Sequence, residues 1–426
     1  MLGYQVLRSP ENITQKAGED MDNLYDLLIL GGGPAGLAAG VYGARARMKT
    51  GIIEKGRPGG QAATTEELEN YPGFGRGTTG PGLMQAMAEH AAQFGAEFIT
   101  DTVLSLDLRS NPKSITGRKG EYLAKSVIVA LGAQPRMLKV TGEGRLRGKG
   151  VSYCATCDAE LFEELDVVVV GSGDAAIEEA EYLTKFAENV TIIVIHEEGK
   201  VDANQASAER AFRNPKLKWI WNSTVTRING EELVESVTLK NLKTGEEWDY
   251  PTNGVFIFIG TVPNSELVKD QLQVNPQGYI ITDEKMGTNL EGVFAAGDVR
   301  DKYLRQVITA AADGAIAAVA AEKYVHETEL WEQEVLQASK PVVVAYYDPT
   351  DMAGNEKIIL VDQFVRDHND QLSLVKVDAT RNELVARRYQ VTPDKLPLVH
   401  LFVQGQLQKQ TQTITLESLK ELTGIA

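Results

Sequence analysis

Two cysteines stand three residues apart in the segment Cys154-Ala-Thr-Cys157, and the 426-residue chain has no others. Sulfurs at that spacing can close and reopen a disulfide within one turn. Asp158 follows directly, a carboxyl able to supply and remove a proton as thiolate becomes thiol. Taken alone, a C-x-x-C also fits two buried structural cysteines. Its company favours redox chemistry. Gly31, Gly33 and Gly36 form G-x-G-x-x-G between an apolar run and a stretch of small residues. In such a turn the first glycine allows the tight bend and the second lets a pyrophosphate approach the backbone. The third lets the helix pack on its strand, with free N–H groups at the helix start. Glu54, at the end of the next apolar run, stands where a carboxylate accepts from ribose hydroxyls. Gly171, Gly173 and Ala176 repeat the pattern after DVVVV. Glu197 and Glu198 follow its second strand, NVTIIVIH. An acidic group there favours a free 2′-hydroxyl and repels a 2′-phosphate; the alternative is a pair of solvated loop charges. A disulfide beside two dinucleotide sites points to a relay from nicotinamide to flavin to disulfide.

The elements that must position these groups are readable from the pattern. YDLLILGGGPAGLAAGVYGARA and LDVVVVGSGDAAIEEAEYLTKF are both strand, glycine-rich turn and helix, an internal repeat of a mononucleotide-binding half. Between them PGLMQAMAEHAAQF reads as an amphipathic helix, and AEFITDTVLSLDL and KSVIVALGA as strands. Strands recur in TVTRINGEELVESVTLKNL and GVFIFIG, and an Ala-rich helix is expected from about Gln306 to Val325. HETELWEQEVLQASK is charged and glycine-free, a helical linker. From Lys340 the order strand, helix, strand, helix, hairpin, helix describes a separate α/β module. Residues 1–23 are polar and aperiodic, an arm.

Composition narrows the class. Lys and Arg number 43 against 59 Asp and Glu, a net charge of −16. Such a surface repels nucleic acid and anionic membranes. No apolar run is long enough to span a bilayer, and the first residues lack the apolar core of a secretory signal. A cytoplasmic protein is expected. Two cysteines exclude a four-cysteine zinc or iron–sulfur site within the chain. The five histidines (His90, His196, His326, His368 and His400) are dispersed, so no metal is expected.

From about Tyr25 to Val325 the chain resembles the low-molecular-weight thioredoxin reductases. The resemblance is carried in order by GGGPAG, RPGGQAATTEELENYPGF, CATCD, GVFIFIGTVPN and GVFAAGDVRDKYLRQVITAAADG. It implies two Rossmann-like three-layer dinucleotide domains. The nucleotide domain, about 141–262, would be inserted into a discontinuous FAD domain, about 24–140 and 263–325. FAD would be held by Gly31, Gly33, Pro34, Ala35, Gly36, Glu54, Gly60, Gln61, Asn70, Asp298, Arg305 and Gln306. The resemblance further implies a homodimer and a redox disulfide between Cys154 and Cys157. Cys157 would face the flavin, Cys154 would attack the substrate disulfide, and Asp158 would be the acid. In that family the inserted domain swings between a flavin-facing and a substrate-facing orientation.

Two departures from the family pattern bear on function. NADPH-specific members carry a basic H-R-R-x-x-x-R run; here the stretch is His196-Glu197-Glu198-Gly199-Lys200-Val201-Asp202. Carboxylates beside a 2′-phosphate disfavour NADPH, which makes NADH the expected donor, with Gly171, Gly173, Ala176 and Glu197 at its site. The alternative is an electron supply from ferredoxin or flavodoxin that bypasses nicotinamide. The second departure is the module at 340–426, after a linker at 326–339. It resembles a thioredoxin fold, with Pro397 at the cis-proline place, yet carries YYDPTDMAG where that fold has its cysteines. Without a thiol it cannot pass electrons, and docking a partner, guarding the site, extending a dimer or standing as a retained structural appendage are the readings left open. The function expected is an FAD-dependent reductase of a thioredoxin-type protein. The alternatives are a flavoenzyme passing electrons to peroxide or dioxygen, and a non-enzymatic redox sensor or scaffold.

Overall fold

The computed structural model describes residues 24–64, 68, 70–74 and 77–425. The arm expected at residues 1–23 lies outside them, as do Thr65–Glu67 and Glu69 of the TTEELENYPGF segment. The chain divides into two compact units, Met1–Ala321 and Glu322–Ala426.

In the first unit, Leu24–Leu30 and Glu121–Val129 are nearly continuous apolar runs, and Leu27, Leu28, Ile29, Val127, Ile128 and Val129 are fully buried. Runs of that kind make the inner strands of a parallel sheet covered on both faces. The sheet runs Glu97–Thr100, Thr50–Glu54, Leu24–Leu30, Glu121–Val129, Lys113–Gly117, Val103–Asp107. Its first four strands are parallel and its last two antiparallel. The much later strand Val293–Ala295 pairs with the Val127–Val129 end of the inner strand. The chain therefore leaves this sheet and returns to it.

The intervening segment builds its own parallel sheet in the order Leu217–Ile220, Asn189–Ile193, Asp166–Val170, Gly254–Ile257, Val151–Ser152. Helices Asp174–Leu183 and Gln205–Arg213 bury Ala176, Ile177, Ala180, Leu183 and Ala211 against one face. An antiparallel sheet of Ser223–Asn229, Ser236–Asn241 and Glu247–Pro251 covers the other with Val225, Val237 and Leu239. Three layers result. A short ladder between Ala133–Pro135 and Thr261–Pro263 marks where the chain crosses out and back.

The second unit is a four-stranded sheet, Ser373–Asp378, Val342–Tyr347, Leu398–Val403, Gln406–Thr411, with helices Met352–Asp367, Glu383–Arg388 and Leu416–Thr423. Its strand and helix order is the one the sequence predicts, and the Leu396–Pro397 peptide is cis. One difference concerns its start. The expected helix to Val325 and the linker after it form a single helix, Val307–Trp331, continued by a π-helical turn at Glu332–Leu336. No glycine or proline interrupts residues 315–340. Trp331 and Val335 are buried in this unit's core beside Val342, Val344 and Tyr346.

Candidate functional site

The strand Val151–Ser152 ends at an edge of the inserted sheet and delivers the chain to the cysteines. Cys154 is extended and caps the short helix Ala155–Asp158, which places Cys157 one turn on. The two sulfurs are bonded, with Cα atoms 5.3 Å apart. Ser152 organises the turn: its hydroxyl donates to Asp158 Oδ2 at 2.5 Å and accepts from the Cys154 N–H at 3.1 Å. Burial raises the pKa of Asp158, and the Ser152 hydroxyl pulls it back only in part. A carboxyl held this way keeps its proton to higher pH, the condition for a proton donor.

A second carboxyl lies against the same turn. Glu179, on helix Asp174–Leu183, receives the Thr156 backbone N–H, while its Oε2 is buried without a partner among the described residues. Burial, with Glu178 adding like charge, pushes its pKa up to about 7. Just ahead of the cysteines, Glu143 is 1% exposed and accepts from the N–H groups of Leu138 and Lys139 and from the Tyr153 hydroxyl. It thereby ties the connector after the crossing ladder to the residue before Cys154.

The redox turn rests on residues of the first sheet's domain. Gln306 Nε2 donates to Thr156 Oγ1 at 3.1 Å, and Asn70 Nδ2 donates to Gln306 Oε1 at 3.1 Å. Arg147 Nη2, from the segment just ahead of the strand Val151–Ser152, donates to Gln61 Oε1 at 3.1 Å. Asn70 and Gln306, expected at a flavin, are thus brought to the redox turn, while Gln61 meets Arg147.

Around the first turn, Gly31 has φ +109, and a Cβ there would lie 2.4 Å from the Ala130 carbonyl oxygen. A Cβ at Gly36 would strike the Gly31 carbonyl, so helix and strand approach as closely as backbone permits. Pro34 and Ala35 open the helix after Gly33, and Gly60 lies against Gly33. Glu54 accepts from the Gly32 N–H at 2.9 Å and the Gly56 N–H at 3.1 Å, which aims its carboxylate along the turn. Asp298 Oδ1 and Arg305 Nε are buried without partners among the described residues. The Arg305 guanidinium lies 4.2 Å from the Tyr279 ring centroid, and burial raises the pKa of Asp298. Beside Asp298, Asp313 is held by Lys302 Nζ at 2.7 Å and accepts from the Gly297 N–H. A glycine cradle and two orphaned buried polar groups fit a bound dinucleotide such as FAD.

At the second turn Gly171 has φ +139 with the Phe258 carbonyl oxygen 2.3 Å from a Cβ there, and Gly173 and buried Ala176 begin the helix. Glu197 is exposed and pairs with Lys243 at 3.0 Å, which keeps its carboxylate below the ordinary range. The carboxylate that meets the turn belongs to Asp202. Its Oδ2 accepts from Ser172 Oγ at 2.7 Å and lies 2.8 Å from His196 Nε2.

Sequence reasoning did not single out Ser152, Thr156, Ser172, Glu179 or Asp202 as site residues. Asp202 carried a signal, standing at the last basic position of the H-R-R-x-x-x-R pattern; the others carried none. Among the described residues no cluster of metal-ligating side chains occurs, and no helix is long and apolar enough to cross a membrane.

Comparison with known proteins agrees with this geometry. Residues 25–314 match the pyridine nucleotide-disulphide oxidoreductase family, and residues 322–423 match the thioredoxin family. The chain is 54% identical over 311 residues to a thioredoxin reductase of Peptoclostridium acidaminophilum, covering 72% of this chain and 98% of that protein. It is 37% identical over 440 aligned positions to a bifunctional thioredoxin reductase/thioredoxin of Mycobacterium leprae (strain TN), covering 93% of this chain and 94% of that one. Among solved structures, the thioredoxin reductase from Streptococcus pyogenes MGAS5005 superposes with a TM-score of 0.66 at 42% identity, over 71% of this chain and 99% of that one.

Proposed function

The chain belongs to the pyridine nucleotide-disulphide oxidoreductases, as a thioredoxin reductase with a C-terminal thioredoxin domain, and we propose that it reduces a thioredoxin-type partner through FAD and the Cys154–Cys157 disulfide. The observation that carries this reading is the seating of the redox turn. Thr156 between the cysteines is held by Gln306, whose neighbour Arg305 and nearby Asp298 bear the orphaned polar groups. FAD is expected of a thioredoxin reductase. When bound, it supplies two-electron transfer between donor and disulfide.

The chain's own residues do the rest. Gly31, Gly33 and Gly36 with Pro34 and Ala35 cradle a pyrophosphate, Glu54 takes ribose, and Asp298, Arg305 and Gln306 orient the remainder with Gly60, Gln61 and Asn70. Ser152 fixes the Asp158 carboxyl, which holds a proton for the sulfur being reduced. Cys157 takes the electrons, and Cys154, once released, attacks the partner's disulfide.

The donor proposed is NADH. Asp202 at the Ser172 turn, with Glu197 nearby, supports recognition of a free 2′-hydroxyl and opposes a 2′-phosphate. A homodimer is part of the same reading, supported by an apolar groove of about 340 Å³ lined by Val41, Tyr42, Met87, Ile308 and Ala312. A cytoplasmic setting, with a reducing nucleotide pool, suits a reductase of this kind. The thioredoxin domain has Asp351 capping its first helix and contains no cysteine, so the acceptor is a separate protein.

The test is anaerobic titration of the purified holoprotein, following bleaching of the flavin band, with NADH, NADPH and reduced ferredoxin in parallel. Fast bleaching by NADH alone is expected. Bleaching by ferredoxin with neither nucleotide active would overturn the nicotinamide donor and leave the disulfide relay standing.

A further inference from the structure

The hydroxyl of Thr156 lies 3.4 Å from Cys154 Sγ, within reach of a hydrogen bond to sulfur. Its direction follows from the chemistry of the pair. Cys154 Sγ is bonded to Cys157 Sγ and carries no proton, so the hydroxyl donates. On its other side the same oxygen accepts from Gln306 Nε2 at 3.1 Å, and Gln306 Oε1 accepts from Asn70 Nδ2 at 3.1 Å. An amide held by its oxygen presents its N–H to Thr156, which leaves the hydroxyl proton for sulfur. The four residues form one directed chain, Asn70 to Gln306 to Thr156 to Cys154. Among the described residues no side-chain donor reaches Cys157 Sγ.

We propose that Thr156 is a further catalytic residue, whose hydroxyl stabilises the negative charge that forms on Cys154 Sγ as the disulfide opens. Gln306 acts as its positioning residue, fixing the hydroxyl's polarity while the redox turn is seated. The inference rests on the relay proposed above. In the step concerned, the S–S bond breaks on taking up two electrons from the reduced flavin. One proton from the Asp158 carboxyl makes Cys157 a thiol, and Cys154 leaves as a thiolate. A donor already aimed at the leaving sulfur costs no reorganisation when the charge appears.

The charged groups around the turn belong to several elements. Asp158 and Glu160 come from its own segment, Glu179 from the helix packed on it, and Arg147 lies over the ring of Tyr153. They are common to the variants compared, so a difference between those variants reports on the hydroxyl.

The experiment uses the full-length holoprotein as wild type, Thr156→Val and Thr156→Ser. The protein is reduced with dithiothreitol, freed of it, and alkylated with iodoacetamide across a pH series, with Cys154 followed by peptide mass. In Thr156→Val the midpoint of the pH dependence moves up and the plateau rate rises, because a thiolate without its hydrogen bond is more basic and more nucleophilic. Thr156→Ser retains the wild-type profile. In rapid mixing, opening of the disulfide by the pre-reduced flavin slows about tenfold in Thr156→Val, less than for loss of an oxyanion donor because sulfur is the weaker acceptor. If Thr156→Val superimposes on wild type in both measurements while Cys157→Ser abolishes partner reduction, this proposal falls and the relay stands. If Cys157→Ser keeps full turnover, the relay falls and takes this proposal with it.

Discussion

Asp202 Oδ2 and Ser172 Oγ lie 2.7 Å apart, and the pairing is part of a continuous latch between the second glycine turn and the segment after its second strand. The N–H groups of Asp202 and Ala203 both donate to the Ser172 carbonyl, at 2.8 and 3.0 Å, and the Asn204 N–H donates to Asp174 Oδ1 at 2.7 Å. Under the proposed NADH reading this latch, and not Glu197, holds the ribose carboxylate. Asp202→Ala is expected to lower kcat/KM for NADH about tenfold through loss of a charge-assisted hydrogen bond. Glu197→Ala, at an exposed ion pair with Lys243, should change it by less than about twofold. Steady-state kinetics of both variants decide it, since a larger effect at Glu197 returns the ribose contact there.

Asp158 has its pKa raised by burial and its geometry set by Ser152. Only the protonated carboxyl can give a proton to sulfur, so turnover limited by this step falls as pH rises through the raised pKa. Asp158→Asn should slow partner reduction about 100-fold and flatten that limb. Ser152→Ala removes the hydroxyl that donates to the ionised carboxylate, so the fall should move to higher pH. The pH–rate profiles of the three proteins read both effects.

Glu179 makes the first unit less stable in alkali. Its carboxyl titrates near 4.5 when exposed and is pushed up to about 7 in the fold. Between those values the folded state holds the extra proton, so stability is lost as pH rises through the window. The loss, complete about one pH unit above the folded value, is about 3 kcal/mol. Glu179→Gln cannot ionise and escapes this penalty. Calorimetry of the full chain should find its first-unit transition raised by about 3–6 °C at pH 8 and unchanged at pH 4. An equal gain at both pH values would assign the effect to packing.

The fold was legible where backbone geometry dictates residue type. Gly31 and Gly171 must be glycine because a Cβ at either meets a carbonyl oxygen, and the two apolar strands ahead of them are buried as such runs must be. The return of Val293–Ala295 to the first sheet was legible only through resemblance, since pairing across so long an insertion leaves no local periodicity. Thr156 was hidden for another reason. A threonine between two cysteines has no distinctive pattern, and its role depends on Gln306 arriving from 150 residues away. Glu197 and Asp202 differ by which carboxylate the loop brings to the Ser172 hydroxyl, and charge alone does not encode that.

His400 is fully buried in the thioredoxin domain, on the strand Leu398–Val403, with Tyr346 at 4.9 Å and Tyr389 and Phe402 at 6.1 and 6.2 Å between ring centroids. The Gln410 amide lies beside it without forming a well-aligned hydrogen bond, and burial pushes its pKa down to about 4. Here the folded value lies below the unfolded 6.5, so the unfolded chain binds the proton first. Stability is therefore full above about pH 6.5 and falls as pH drops toward 4, by about 3 kcal/mol in all. His400→Leu keeps an apolar side chain of comparable size in the aromatic cluster and removes the proton-binding group. In the full chain, exchange protection of the strand Leu398–Val403, corrected for intrinsic rates, should decline between pH 6.5 and 4 in wild type and stay level in His400→Leu. A parallel decline in the variant would place the acid sensitivity of this domain on another group; Asp348 and Asp362, whose folded pKa values are lowered by their hydrogen-bond partners, lose their contribution only below about pH 4 and lie outside this window.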